Sequence, residues 1–328
     1  MGIHSISFVL LGFVSTAASG IAEPHPLQSL HDDAEALRDV YRSAPAQRML
    51  DEVEHLPVID ERTIHAATRP NRGYTQAQFD ALSEDEREGL QPFEVDAMRY
   101  YSTFYGTPLV YARVLELIDR HAPRFEIEDA RIMDLGYGQL GHLRLWAQMG
   151  ANVVGVEVDP ILTAMYDGCA AVGPIEDAGS VSLIEGAWPN DASCREEVGR
   201  GFDLIVSRNL LKRGYVKPTQ RNPSFPVPVA WGMSDEEAVG HFFDALAPGG
   251  IVVIESLGPR PDPAKPWSDI ANPWPRAAWE AVGFEVLAHD TDESPFARRQ
   301  GMALGWDERM DLENGLYGVY SVYRKPVE

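Results

Sequence analysis

The chain is poor in cysteine and in basic residues. Its 328 residues include two cysteines, Cys169 and Cys194. That excludes a disulfide scaffold, and no histidine stands at a spacing that completes a zinc site with them, so no metal is expected. The two thiols either pair in an oxidising compartment or stay apart as buried groups. Lys and Arg number 28 against 50 Asp and Glu, a net charge of −22. Nucleic-acid affinity comes largely from Lys and Arg contacts to phosphate, which argues against a general DNA or RNA partner. Anionic membrane surfaces are disfavoured on the same ground. Internal repeats and low-complexity tracts are absent.

Residues 1–22 also lack Asp, Glu, Lys and Arg, so their removal leaves the net charge unchanged. The stretch 6–14 is mostly apolar and is followed by Ala17-Ala18-Ser19-Gly20 and Gly20-Ile21-Ala22. It is too short for a comfortable membrane span. The pattern reads as a secretory signal peptide cut near Ser19 to Ala22, although the lead-in offers only the amino terminus and His4. A secreted, periplasmic or lumenal location is expected, and a cytoplasmic one if residues 1–22 are retained. The alternative reading is an apolar arm or membrane-associated anchor.

What is present is a change of rhythm along the chain. In residues 27–56, Leu30, Ala34, Leu37 and Tyr41 recur at helical spacing. Residues 57–74 read as a loop, and Ser83-Glu84-Asp85-Glu86 as a capping box. A further helix is expected over 108–121. After Pro123 strands alternate with helices: strands over 131–135, 152–156, 181–184, 202–206, 251–255, 284–288 and 317–324, and helices over 142–149, 160–171, 235–246 and 275–282. Such alternation implies a parallel sheet with helices on both faces. The last two strands are expected to add an antiparallel strand at the sheet edge. The chain therefore divides into residues 1–22, a helical extension over 23–107, and an α/β domain over 108–328.

Asp134-Leu135-Gly136-Tyr137-Gly138-Gln139-Leu140-Gly141 follows the first strand of that domain and opens a helix. Glycines serve where backbone approaches a ligand or takes positive φ. On spacing alone the turn matches the dinucleotide fingerprint G-x-G-x-x-G. Glu157 ends the next strand, 21 residues after Gly136. A carboxylate there can accept hydrogen bonds from ribose hydroxyls. Asp159 is placed to cap the helix that begins at Pro160.

The stretch from Ile132 to Pro160 resembles class I S-adenosylmethionine-dependent methyltransferases. Asp134 stands as that family's acidic lead-in to the first glycine. Phe202-Asp203-Leu204-Ile205-Val206 is similar to its fourth strand, and Leu246-Ala247-Pro248-Gly249-Gly250 to the entry of its fifth. The resemblance spans about residues 108–325 and implies a Rossmann-like, doubly wound, mostly parallel seven-stranded sheet. It implies S-adenosyl-L-methionine as cofactor, with Tyr105, Asp134, Gly136, Tyr137, Gly138, Gly141, Glu157, Val158, Ala187, Trp188 and Ser207 as its contacts. Two departures stand out: Leu140 takes the place of the third glycine, and Ala187 that of the acid that meets the adenine amine. The segment Tyr100-Tyr101-Ser102-Thr103-Phe104-Tyr105 is placed to close the cofactor site.

The acceptor should lie beyond the carboxyl end of the fourth strand. There, over 208–221, five basic residues occur without an acid. They are read either as a cationic wall for an acceptor carboxylate or phosphate, or as solvated side chains paired with acids elsewhere. Candidate catalytic residues are Arg208, Asn209, Lys212, Tyr215 and His142, with His241 as a further possible base. The expected activity is methyl transfer to a small-molecule or protein acceptor. A nicotinamide-dependent oxidoreductase and a non-catalytic cofactor-binding protein of the same fold are the alternatives.

Overall fold

The computed structural model describes residues 25–68, 71–103, 106–220 and 231–327. The readings placed on residues 1–22, Tyr105 and Arg221 lie outside these.

Helix α1 (Gln28–Leu37) buries Leu30, Ala34 and Leu37, the stripe read from the sequence. Ser43 caps α2 (Ala44–Asp51) by accepting from the Ala46 N–H. The segment read as a loop then departs from expectation. It holds strands β1 (Arg62–Thr68) and β2 (Asn71–Thr75), paired antiparallel with Ile64 opposite Thr75. After α3 (Gln76–Ala81) and α4 (Glu84–Arg87), strand β3 (Gln91–Val95) pairs with the other edge of β1, Ile64 opposite Phe93. The extension is thus mixed, with a three-stranded sheet among its helices. Of β1 and β2 only Ile64 is fully buried, so no alternation of apolar side chains announces these strands. The capping box at Ser83 forms as read, with Ser83 and Glu86 bonding reciprocally. Helix α5 (Ala97–Tyr101) ends the extension.

A 3-10 turn over Pro108–Tyr111 and helix α6 (Ala112–His121) lead into the main domain. There follow β4 (Arg131–Leu135), α7 (Gly141–Gln148), β5 (Asn152–Glu157), α8 (Pro160–Tyr166), the two-residue β6 (Gly173–Pro174), β7 (Ser180–Glu185), α9 (Ala192–Val198) and β8 (Phe202–Arg208). Then come α10 (Arg213–Val216), α11 (Asp235–Ala245), β9 (Leu246–Gly258), α12 (Arg276–Val282), β10 (Glu285–Asp292), α13 (Ser294–Ala303), α14 (Leu312–Gly315) and β11 (Tyr317–Arg324). The strand order is β10-β11-β9-β8-β4-β5-β7-β6. Strands β7, β5, β4, β8 and β9 run parallel, and β11 lies antiparallel to both of its neighbours. This is the doubly wound, mostly parallel sheet of seven strands read from the sequence, with β6 as a small addition. One expectation is corrected: the antiparallel strand is not at the edge. β11 inserts between β9 and β10, because the excursion through α13 and α14 carries the chain back across the sheet. The long β9 then offers it an eight-residue register, from Gly258 opposite Tyr317 to Ile251 opposite Arg324.

Both faces of the sheet are covered, so its central strands are nearly continuous apolar runs. Ile132, Leu204, Val206, Ile251 and Val253 face α6, α7 and the extension. Met133, Leu135, Ile205, Val252 and Ile254 face α9, α11 and α12. Cys169 lies in the first of these clusters and Cys194 in the second, and both thiols are free. Strand order reverses between β4 and β8, which opens a crevice at their carboxyl ends.

Candidate functional site

The glycine turn sits at that crevice. Gly136 has φ +77° and Gly138 +59°, conformations that cost a side-chain-bearing residue strain. Four bonds hold the turn. The Gly136 N–H donates to the Val156 carbonyl (2.8 Å), and the Leu140 N–H to the Tyr166 hydroxyl (3.1 Å). The Gly138 N–H donates to Glu157 Oε2 (3.3 Å), and its carbonyl accepts from Thr103 Oγ1 (2.9 Å). Thr103 thus ties the extension to the turn. Gly141 plays a different part: a Cβ there would come within 2.5 Å of Pro108 Cγ and of the Tyr101 carbonyl. It and Tyr137, buried against Gly155 of β5, are closely packed.

Glu157 closes over the turn. Its second oxygen accepts from the Val158 N–H at 2.8 Å. Burial raises its carboxyl above the ordinary range, while the backbone N–H bonds act the other way. Beside it Val158 is 53% exposed, a large apolar side chain left in solvent. Asp159 caps α8 as expected, accepting from the Ile161 N–H. After β7, Ala187 is exposed. Trp188 is buried, edge-on to Phe242 at 5.2 Å and against Trp231, so its ring belongs to the aromatic core beneath α11.

A buried polar layer lies on the face of the sheet toward α6 and α7. Asp134 Oδ2 meets His142 Nε2 at 2.5 Å, with neither side chain exposed. The His142 ring stacks on Tyr111 (3.5 Å between centroids, 7° between planes). The Arg208 guanidinium lies 5.5 Å from the Tyr111 centroid, and Arg208 Nε donates to Glu255 Oε2 at 2.9 Å. Burial lowers the pKa of His142, against the effect of Asp134. Asp134 Oδ1, Gln139 Oε1 and Arg208 Nη2 are buried with no hydrogen-bond partner among the described residues.

Of the two readings of the segment after β8, its ion pairs favour side chains paired with acids elsewhere. Arg208 is opposite Glu255 in the β8–β9 register, so the neighbouring strand neutralises it. Arg213 pairs with Asp269 at 3.2 Å and Asp290 at 3.8 Å, and Lys217 with Asp235. Lys212 is buried and donates to the Leu257 carbonyl at 2.5 Å. Burial, with the Arg208 charge adding, lowers its ammonium to about 8. Asn209, at φ +65°, is spent on structure: its Oδ1 accepts from the Leu257 N–H at 2.7 Å. Ser207 Oγ donates to the Leu135 carbonyl, and Leu210 lies against the turn, its Cδ2 2.5 Å from where a Gly136 Cβ would stand. His142 is fully buried, with Asp134 against its Nε2. Burial raises the Tyr215 hydroxyl, 5.2 Å being the distance from its ring to Lys212 Nζ. His241, on α11, stands beside Trp188 on the other face. Thr103 lies in the segment placed to close the site, whereas Tyr111, Tyr166 and Glu255 are contributors that spacing did not single out; the acid ending the apolar run of β9 was the one local signal.

Among the described residues no group of three or more His, Cys, Asp or Glu side chains is placed to hold a metal, and no helix is long and apolar enough to cross a membrane. No protein-family model matches the chain, and no curated protein matches its sequence. Solved structures do match. The [4+2]-cyclase SpnF is 17% identical, with 66% of this chain and 81% of that one covered and a TM-score of 0.38. A putative sarcosine dimethylglycine methyltransferase from Galdieria sulphuraria is 12% identical, with 67% and 85% covered and a TM-score of 0.40. An S-adenosylmethionine-dependent methyltransferase from Mesorhizobium loti is 16% identical, with 65% and 97% covered and a TM-score of 0.38. Similarity at this level is slight; strand order, register and the glycine turn are what define the fold as Rossmann-like and doubly wound.

Proposed function

We propose that the chain binds S-adenosylmethionine at the Gly136–Gly138 turn and transfers its methyl group to a small-molecule or protein acceptor. The observation that carries this reading is the placement of Glu157. Its carboxylate sits at the carboxyl end of β5, over a turn of two positive-φ glycines, at the point where strand order reverses. The residues suit the cofactor. Glu157 offers acceptors for ribose hydroxyls, Val158 an exposed apolar face for the adenine, and Gly136 and Gly138 backbone without a Cβ. Ala187 and Ser207 flank the crevice, and Asp134 has an unpartnered oxygen behind the turn.

The cofactor would supply an electrophilic methyl group on a sulfonium. The chain's own contribution is orientation and exclusion of water. The extension does the second, tied to the turn through Thr103. A dinucleotide-dependent oxidoreductase has the G-x-G-x-x-G spacing and the ribose-binding acid Glu157 in its favour, but not the sheet. The dinucleotide fold has the all-parallel order 3-2-1-4-5-6, whereas here β11 is inserted antiparallel. Export of the chain after loss of residues 1–22, and a boundary between extension and domain near 107/108, belong to the same proposal; mass spectrometry of the natural N-terminus tests the first. Titration calorimetry with S-adenosylhomocysteine and with NAD⁺ tests the cofactor. Heat with the former alone supports the reading, and heat with NAD⁺ alone refutes it. A labelled-methyl product screen then identifies the acceptor.

A further inference from the structure

Between the small sheet of the extension and the start of α8 lies a cavity of about 230 Å3. Phe93 of β3 and Ile161 and Met165 of α8 give it an apolar lining. Arg99 and Ser102, from α5 and just beyond, and Asp159 add polar groups. The charges of the two ionised residues are not equally available. Asp159 Oδ1 already accepts from the Ile161 N–H and from Asn71 Nδ2, each at 2.8 Å. Arg99 lies 4.7 Å over the Phe93 ring and has no carboxylate within 4 Å among the described residues. Ser102 Oγ is buried and has no hydrogen-bond partner there. A hydroxyl removed from water without a partner is costly, and a turn of the Ser102 side chain toward the cavity would let it meet a ligand there. Size narrows the class: an apolar cavity of about 150 Å3 holds benzene. This one has space for a ring and one polar substituent.

We propose that the cavity is a second ligand pocket, beside the glycine turn, that takes a small aromatic or branched aliphatic carboxylate. The apolar body rests on Phe93, Ile161 and Met165, and the carboxylate faces Arg99 and Ser102. The inference stands on the cavity and its lining, independently of methyl transfer. It is linked to the turn, because Thr103, next to Ser102, bonds the Gly138 carbonyl.

The test compares three probes with one ring and different ends: benzoate, benzyl alcohol and benzylamine, each titrated into the full chain by calorimetry or ligand-observed NMR. Benzoate should bind at least fivefold tighter than benzyl alcohol, and benzylamine weakest. Arg99→Gln, at an exposed position, should abolish the preference for benzoate while leaving circular dichroism unchanged. Met165→Trp, which fills the cavity, should abolish binding of all three; if it fails to fold, Arg99→Gln still decides. Saturating S-adenosylhomocysteine should change benzoate affinity less than twofold. Absence of benzoate binding, tighter binding of benzylamine, or an undiminished preference in Arg99→Gln each overturns the proposal. Competition with S-adenosylhomocysteine does so too, because the cavity would then be part of the cofactor crevice. Failure of S-adenosylhomocysteine to bind would count against the cofactor reading alone and leave the probe comparison intact.

Discussion

Asp134 and His142 meet inside the protein, Oδ2 2.5 Å from Nε2, both shielded from water. Burial lowers the pKa of His142, so it enters the fold neutral and gains a proton more readily once unfolded. Where the unfolded state binds more protons, stability rises with pH and is lost on acidification. Acidification below the ordinary histidine value of about 6.5 should therefore lower the melting temperature. Buried or half-buried His121, His241 and His289 are lowered too and contribute to the same slope. His142→Gln should make the loss between pH 7.5 and 5.5 shallower. An unchanged slope would remove His142 from the account.

Arg208 and Glu255 are register partners on adjacent strands, both shielded from water. Removing one partner leaves a buried charge uncompensated. Arg208→Leu should cost about 3–5 kcal/mol in urea unfolding, and adding Glu255→Leu should recover most of it. Additive losses would show that the two side chains act separately.

Lys212 is lowered to about 8, so its charge is a burden in the folded state at neutral pH. Between about 8 and the ordinary 10.4 the unfolded chain holds the extra proton, and stability should rise with pH. Lys212→Met should raise stability at pH 7 by about 1–3 kcal/mol and flatten that rise. A destabilised variant would mean that the bond to the Leu257 carbonyl outweighs the cost of burying the charge.

The parts of this structure legible in the sequence are those set by neighbours along the chain. The capping box at Ser83, the stripe of Leu30, Ala34 and Leu37, and the alternation from β4 to β9 are all local signals. So is the combination of Gly136, Gly138 and Glu157, which one strand–turn–helix–strand unit brings together. What escaped is set by partners far away in sequence. β1 forms because β3 flanks it, and β2 docks so closely that a Cβ on Gly73 would stand 2.4 Å from the Pro160 carbonyl. The place of β11 depends on the excursion through α13 and α14. The five basic residues over 208–221 left a cationic wall and paired side chains both open, because Glu255, Asp269 and Asp290, which neutralise Arg208 and Arg213, lie outside the segment.

The central claim is that Glu157 holds the cofactor over the glycine turn. The most direct test is titration calorimetry of S-adenosylhomocysteine against the parent chain and Glu157→Ala, with circular dichroism as the control for folding. Binding by the parent, weakened in the variant by about 1.5–3 kcal/mol through loss of a charge-assisted hydrogen bond, is the predicted result. No binding by the parent, or equal affinity for both, would contradict it.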